Sequence, residues 1–386
     1  LCSGQSNMEL PVSAIQSREQ DLSEADQQSL IHLFNMPTRY PTDAKSWSLA
    51  VCDSVNRHQL LRVGPWKNCS HESLSGFSAV AYHFGKALAD SLQVPIGLIC
   101  NAVGGTTTES WIDRSTLERA FPAILRNWFH GDFGMKWARE RALLNVANST
   151  NPLQQHPYSP AYMYEMGMTP LSGYAVKGVV WYQGESNAHN IELHERLFPL
   201  LEKSWRNFFH QSNLPFYFVQ LSSLNRRSWS RFRDSQRRMA SQLEHTWMVV
   251  TTDLGDSLDV HYTNKKPVGE RLAMQALHHS YGRNITSEGP VIERVEPVDG
   301  GLLLTFSNAK GLHAAGNRLI GFELAGADGI YYEAQATIEN SNQVRVTSAP
   351  SVPHPVSVRY AWQPFTRANL VNDKGLPCST FEIEEH

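Results

Sequence analysis

The chain has 386 residues, enough for two domains, and its 41% hydrophobic and 18% charged content is that of a globular protein with a sizeable core. A net charge of −3, from 34 basic and 37 acidic residues with no long run of one sign, leaves no electrostatic footprint for nucleic acid. No stretch of eighteen apolar residues occurs, which excludes a helical membrane span of that kind.

The first nine residues, Leu1 to Glu9, set the theme. A hydrophobic entry runs into Gly4, Ser6 follows two positions later, and Asn7-Met8 can open a helix. A serine at a strand-to-helix turn projects its hydroxyl, and free N–H groups at the helix start point at whatever it attacks. Ser6 is therefore a candidate nucleophile, although Gly-Gln-Ser-Asn alone also suits an ordinary polar turn. The strand expected ahead of Ser6 is almost wholly missing, so an N-terminally truncated piece is expected and the compartment is not legible there.

Further along, a helix is expected near Glu24 to Leu33, then an amphipathic helix carrying Phe77, Val80, Ala81, Phe84 and Leu88. The apolar run Val94 to Cys100 reads as a buried strand ending in the turn Val103-Gly104-Gly105. A long insertion from Thr106 to about Tyr174 holds helical stretches (114 to 129, 135 to 145) and an aromatic loop, His156 to Tyr164. Such a loop beside a cleft often shapes substrate binding, and Tyr162 is a candidate for that role. A second buried strand, Val176 to Tyr182, runs into Gln183-Gly-Glu-Ser-Asn187. Helices near 191–209, 229–243 and 264–279 alternate with strands at 216–221 and 247–252. Alternation of this kind predicts a parallel sheet covered on both faces, with its site at the carboxyl ends of the strands. After about Gly289, short strand-like runs (302–306, 329–338, 343–346, 356–362) between turn residues predict a β-rich C-terminal module over 289–386. The α/β domain then occupies 1–288.

Serine catalysis needs a base, an orienter and oxyanion donors. Asp259-Val-His261 follows the last α/β strand, so His261 is the expected base and Asp259 its orienter, with Asp256 the fallback. The backbone N–H groups of Ser6 and Gly105 (or Gly104) are the expected donors, with the Gln183 amide as a third and Asn187 the runner-up. Glu185 is expected to brace its loop. The five cysteines form no Cys-x-x-Cys pair, and the sixteen histidines contain no His-Glu-x-x-His, so no metal or cofactor is expected. A single disulfide, for example Cys52 with Cys69, stays open.

Taken in order, Gly4-Gln-Ser-Asn-Met8, Val103-Gly-Gly105 with Glu109-Ser-Trp-Ile-Asp113, Trp181-Tyr-Gln-Gly-Glu-Ser-Asn187 and Asp259-Val-His261 with Asn264-Lys265 resemble the sialate O-acetylesterase family of the SGNH hydrolase superfamily. Leu214-Pro-Phe216, Arg233-Asp-Ser-Gln236 and Val358-Arg-Tyr-Ala-Trp362 extend the resemblance over nearly the whole chain. It implies a flavodoxin-like three-layer α/β/α domain and metal-independent removal of acetyl esters from sialic acid or related glycans. The wider superfamily has Asp-x-x-His and a Gly-x-Asn-Asp donor block, where this chain has Asp-x-His and Gln-Gly-Glu-Ser. Arg233 is the candidate cation for a sugar carboxylate. The resemblance also implies a periplasmic or secreted location. An acetylesterase for plant polysaccharides such as xylan, or an inactive glycan-binding protein on the same scaffold, are the alternatives. The acetyl position and the oligomeric state are not legible.

Overall fold

The structure is a computed structural model that describes residues 1–347, 350 and 352–384. The chain divides into two compact units: residues 1–218, 243–247 and 263–273 form the first, and 219–242, 248–262 and 274–386 the second. The second unit takes in 219–242, 248–262 and 274–288 together with the residues after 288.

A seven-stranded sheet carries the α/β half. Its strands are β1 (Cys2–Gly4), β2 (Ile31–Asn35), β3 (Lys67–Asn68), β4 (Ile96–Ala102), β5 (Val179–Tyr182), β6 (Phe216–Val219) and β7 (Thr246–Val249), in the spatial order β3-β2-β4-β1-β5-β6-β7. β1 is only three residues long, yet it is hydrogen-bonded on both sides: Cys2 pairs with Cys100 and Val180, and Gly4 with Ala102 and Tyr182, all in parallel. β5 and β6 are buried at every residue, as strands covered on both faces must be.

The helix expected over 24–33 is absent. A helix occupies Arg18–Glu24 instead, and Ile31–Asn35 is a strand paired in parallel with β4 from Ile31–Ile96 to Asn35–Cys100. Burial of Ile31, Leu33 and Phe34 against β4 outweighed a weak helical pattern. The short helix α1 (Ser6–Glu9) follows β1 directly. Helix α2 (Ala79–Leu92) starts at Ser78, whose hydroxyl accepts from the Ala81 N–H and so satisfies one orphan donor of the first turn. Helix α3 (Ile191–Phe208) is capped in the same way by Asn190, and its Phe198 and Trp205 rings lie 5.0 and 6.0 Å from Phe218 and Phe216 of β6. Helix α4 spans Lys266–His279.

In the second unit two four-stranded antiparallel sheets form, one from strands 291–298, 301–307, 335–340 and 343–347, the other from 322–325, 331–333, 357–360 and 381–384. One apolar cluster lies among them, with Leu302, Leu304, Phe306, Phe322, Val344, Val358 and Phe381 nearly inaccessible. The run expected over 329–338 is two strands, one in each sheet. All five cysteines are buried and free, so Cys52 and Cys69 are not joined. No helix among the described residues is long and apolar enough to cross a membrane.

Candidate active site

Three neighbouring strands, β4, β1 and β5, end side by side, and each releases a polar loop. The β1 exit requires glycine. Gly4 has φ +136°, and a Cβ there would fall 2.1 Å from the Tyr182 carbonyl oxygen. The chain then turns at Gln5, whose N–H donates to that same oxygen at 3.0 Å and whose carbonyl accepts from Met8 and Glu9. Ser6 thus becomes the first helical residue, half-buried, and neither its N–H nor its hydroxyl has a hydrogen-bond partner among the described residues.

The β4 loop is stitched to this turn. Val103 N–H donates to the Gly4 carbonyl at 3.1 Å, and the Ser3 hydroxyl donates to the Asn101 carbonyl. Gly104 lies against Ser6: a Cβ at Gly104 would stand 3.4 Å from Ser6 Cβ. Its N–H is already spent, donating at 2.7 Å to the Glu9 carboxylate. Burial pushes the Glu9 pKa up, and the Gly104 N–H offsets part of that. Gly105 is different. It has φ +79°, its N–H has no partner among the described residues, and a Cβ there would fall 2.2 Å from Tyr158 Oη. Of the two glycines, only Gly105 has a free donor.

The β5 loop closes the cluster with a buried polar network. Gln183 Oε1 accepts from the Thr108 hydroxyl at 2.7 Å, while its Nε2 donates to Asn187 Oδ1 at 2.7 Å and to the Thr106 carbonyl at 3.2 Å. Asn187 Oδ1 also accepts from Thr108 N–H, and its Nδ2 donates to Glu109, which holds Trp128 Nε1 as well. Glu109 is fully buried. Desolvation raises its pKa, and the donors Trp128 and Asn187 act the other way. On the other flank, Asn7 Nδ2 donates to Glu185 Oε1, and Lys265 Nζ donates to Asn7 Oδ1 at 2.6 Å, fully buried. Glu185 braces the loop through Asn7.

In the second unit, His261 N–H donates to Asp259 Oδ1 at 2.8 Å, and His261 Nδ1 lies 3.9 Å from that oxygen. Asp256 instead accepts from the Leu258 and Asp259 N–H groups, which hold its pKa below the usual value. It folds the turn, leaving Asp259 as the carboxylate beside His261.

Comparison with known proteins gives the family. The model of the carbohydrate esterases described as sialic acid-specific acetylesterase matches residues 133–278. Over 99% of its length the chain superposes with a TM-score of 0.79 on the crystal structure of a carbohydrate acetylesterase from Xanthomonas citri, at 30% identity and covering 79% of that protein. The chain belongs to the sialate O-acetylesterase family. Sialate O-acetylesterase of Mus musculus is 31% identical over 327 residues and that of Homo sapiens 30% over 319, each match covering 77% of this chain. The chain spans 59% of the length of the mouse relative.

Within this family member, four expected side-chain roles do not survive. Both hydrogens of the Gln183 amide are engaged inside the loop network, so Gln183 is not a third oxyanion donor. Asn187 is buried, with Nδ2 donating one hydrogen to Glu109 and Oδ1 accepting from Thr108 and Gln183, so its amide faces the loop network. Tyr162 is buried, its hydroxyl donating to the Val55 carbonyl at 2.8 Å, so the ring is core and not a substrate contact. Arg233 is fully buried, and its guanidinium donates to the carbonyls of Ala361, Gln363 and Pro364, which bars it from a sugar carboxylate. Glu9, Thr108, Glu109 and Lys265 were given no role from the sequence, although Glu109 and Lys265 stand in motifs that carry the resemblance. Each is a lone polar residue whose partner lies on another strand loop, so local spacing carried no signal for it.

Proposed function

We propose that the chain is a serine esterase that removes acetyl groups from O-acetylated sugars, with O-acetylated sialic acids as substrates. His261, oriented by Asp259, takes the Ser6 proton. Ser6 Oγ attacks the acetyl carbonyl carbon, and the N–H groups of Ser6 and Gly105 hold the oxyanion. His261 returns the proton to the leaving sugar oxygen. Water then attacks the acetyl-enzyme by the same route, releasing acetate and restoring Ser6. The observation that carries this reading is the pair of unengaged N–H groups, on Ser6 and Gly105, at the ends of adjacent strands. A periplasmic or secreted location belongs to the same reading.

The test is hydrolysis of p-nitrophenyl acetate and of O-acetylated sialic acid by wild type, Ser6→Ala and His261→Ala. Each substitution is expected to lower kcat by several orders of magnitude, as loss of a triad member does. Undiminished turnover by Ser6→Ala overturns the proposal. Equal release of acetate from acetylated xylan would move the substrate assignment and leave the chemistry standing.

A further inference from the structure

Beside the Gly105 turn stands a side-chain group that the reaction above does not use. Trp137, on the helix Lys136–Asn145, is 45% exposed although its Cη2 lies only 3.1 Å from where a Gly105 Cβ would be. Its ring is stacked on buried Tyr158, with centroids 6.1 Å apart and planes at 25°. The Tyr158 ring thus holds the indole in place, and the Trp137 side chain stays partly open to solvent next to the oxyanion turn. Arg141, one helical turn on, holds its guanidinium 5.3 Å from the Trp137 ring centroid. That guanidinium donates to the Thr42 carbonyl at 2.9 Å, and the Thr42 hydroxyl donates to the Gly104 carbonyl. Among the described residues no carboxylate pairs with Arg141, so a half-buried cation sits beside the site with capacity to spare.

An immobilised, solvent-open indole next to a hydrolytic centre suits the apolar face of a sugar ring. An unpaired guanidinium suits a carboxylate, which it binds in bidentate fashion. We propose that Trp137 and Arg141 form the subsite for the acetyl-bearing sugar, the indole stacking on the ring and the guanidinium pairing with a carboxylate it carries. This rests on the esterase reading above and adds to it the residues that would recognise the sugar and its carboxylate. Arg141 thereby takes the role that Arg233 is too buried to fill. Both residues act on substrate selection and neither on acyl transfer.

The experiment uses the full chain and three substrates: p-nitrophenyl acetate, O-acetylated N-acetylneuraminic acid and the carboxyl methyl ester of that sugar. Wild type is expected to favour the free acid over the methyl ester by at least about tenfold in kcat/KM. Arg141→Gln is expected to erase that ratio. Trp137→Ala is expected to lower kcat/KM for both sugars by about fivefold to tenfold. p-Nitrophenyl acetate carries neither a sugar ring nor a carboxylate, so it reports any disturbance of the Gly104-Gly105 turn and the sugar effects are read as ratios to it. No free-acid preference in wild type overturns the proposal without reference to any variant. So does a ratio unchanged in Arg141→Gln, or a parallel loss on all three substrates in either variant. Wild type no faster than Ser6→Ala on p-nitrophenyl acetate would instead bring down the esterase reading, and this inference with it.

Discussion

Lys265 Nζ donates to Asn7 Oδ1 at 2.6 Å, with the lysine fully buried and the Tyr182 ring centroid 5.5 Å from its ammonium. The Asn7 amide donates in turn to Glu185. A neutral amide therefore lies between a buried cation and an acid, directly after Ser6. Lys265→Met removes the buried cation and its hydrogen bond to Asn7 Oδ1, at a cost of about 1–3 kcal/mol. The expected kinetic result is a fall in kcat of about tenfold to a hundredfold with KM nearly unchanged, because the nucleophile turn loses its orientation and not its substrate. A KM increase at constant kcat would show that Lys265 touches substrate instead.

The two glycines of the β4 turn should respond differently to one methyl group. At Gly105 a Cβ meets Tyr158 Oη at 2.2 Å on a backbone with φ +79°. At Gly104 the contacts are looser, 3.1 Å to the Glu9 carboxylate and 3.4 Å to Ser6 Cβ. Gly105→Ala is expected to lose about 2.7–4 kcal/mol of transition-state stabilisation, the value of one oxyanion donor, because the turn must shift. Gly104→Ala should lose much less. Pre-steady-state acylation rates measure this directly, and equal losses would remove the distinction between the two N–H groups.

How much of this was visible in the chain differs from residue to residue. Ser6 sits where its strand-turn-helix pattern put it, because Gly4 and the helix start are local signals. The Gly104-Gly105 turn was legible for the same reason. Gln183 and Asn187 read as free amides, since nothing in Gln-Gly-Glu-Ser-Asn reveals Thr108 and Glu109 folding over them from the neighbouring loop. Ile31–Asn35 read as helix because a strand of five residues gains its stability from β4, about sixty-five positions away. The aromatic loop read as shaping substrate binding, while its Tyr158 and Tyr162 are buried.

Arg233 offers a test of structural against functional reading. Burial lowers its pKa to about 9, still charged at neutral pH, and three carbonyls accept from it. Arg233→Met leaves the Gln363 carbonyl without its donor, while Pro364 keeps the Leu224 N–H and Ala361 the Thr380 hydroxyl, and is expected to cost about 1–3 kcal/mol, seen as a lower thermal midpoint. The ratio of kcat/KM for O-acetylated sialic acid to that for p-nitrophenyl acetate should not move. A selective loss on the sialic acid would restore Arg233 as a substrate contact.

Asp21 gives the pH dependence of the first unit. Its carboxylate accepts from the Ser17 hydroxyl at 2.6 Å and lies 3.2 Å from His83 Nε2 on α2. Burial opposes the charge, but the His83 and Ser17 hydrogen bonds and the nearby Lys266 outweigh it, so the pKa lies below its ordinary value. A depressed carboxylate pKa stabilises the fold above the unfolded-state value of about 3.9, and that stability is lost as pH falls through the folded value. Asp21→Asn should therefore be less stable than wild type by about 1–3 kcal/mol at pH 7. The gap should close once the pH passes below the folded pKa. Urea melts at pH 7, 5, 4 and 3 read it out. A gap that widens as the pH drops would mean that Asp21 is held neutral, reversing the sign of its contribution.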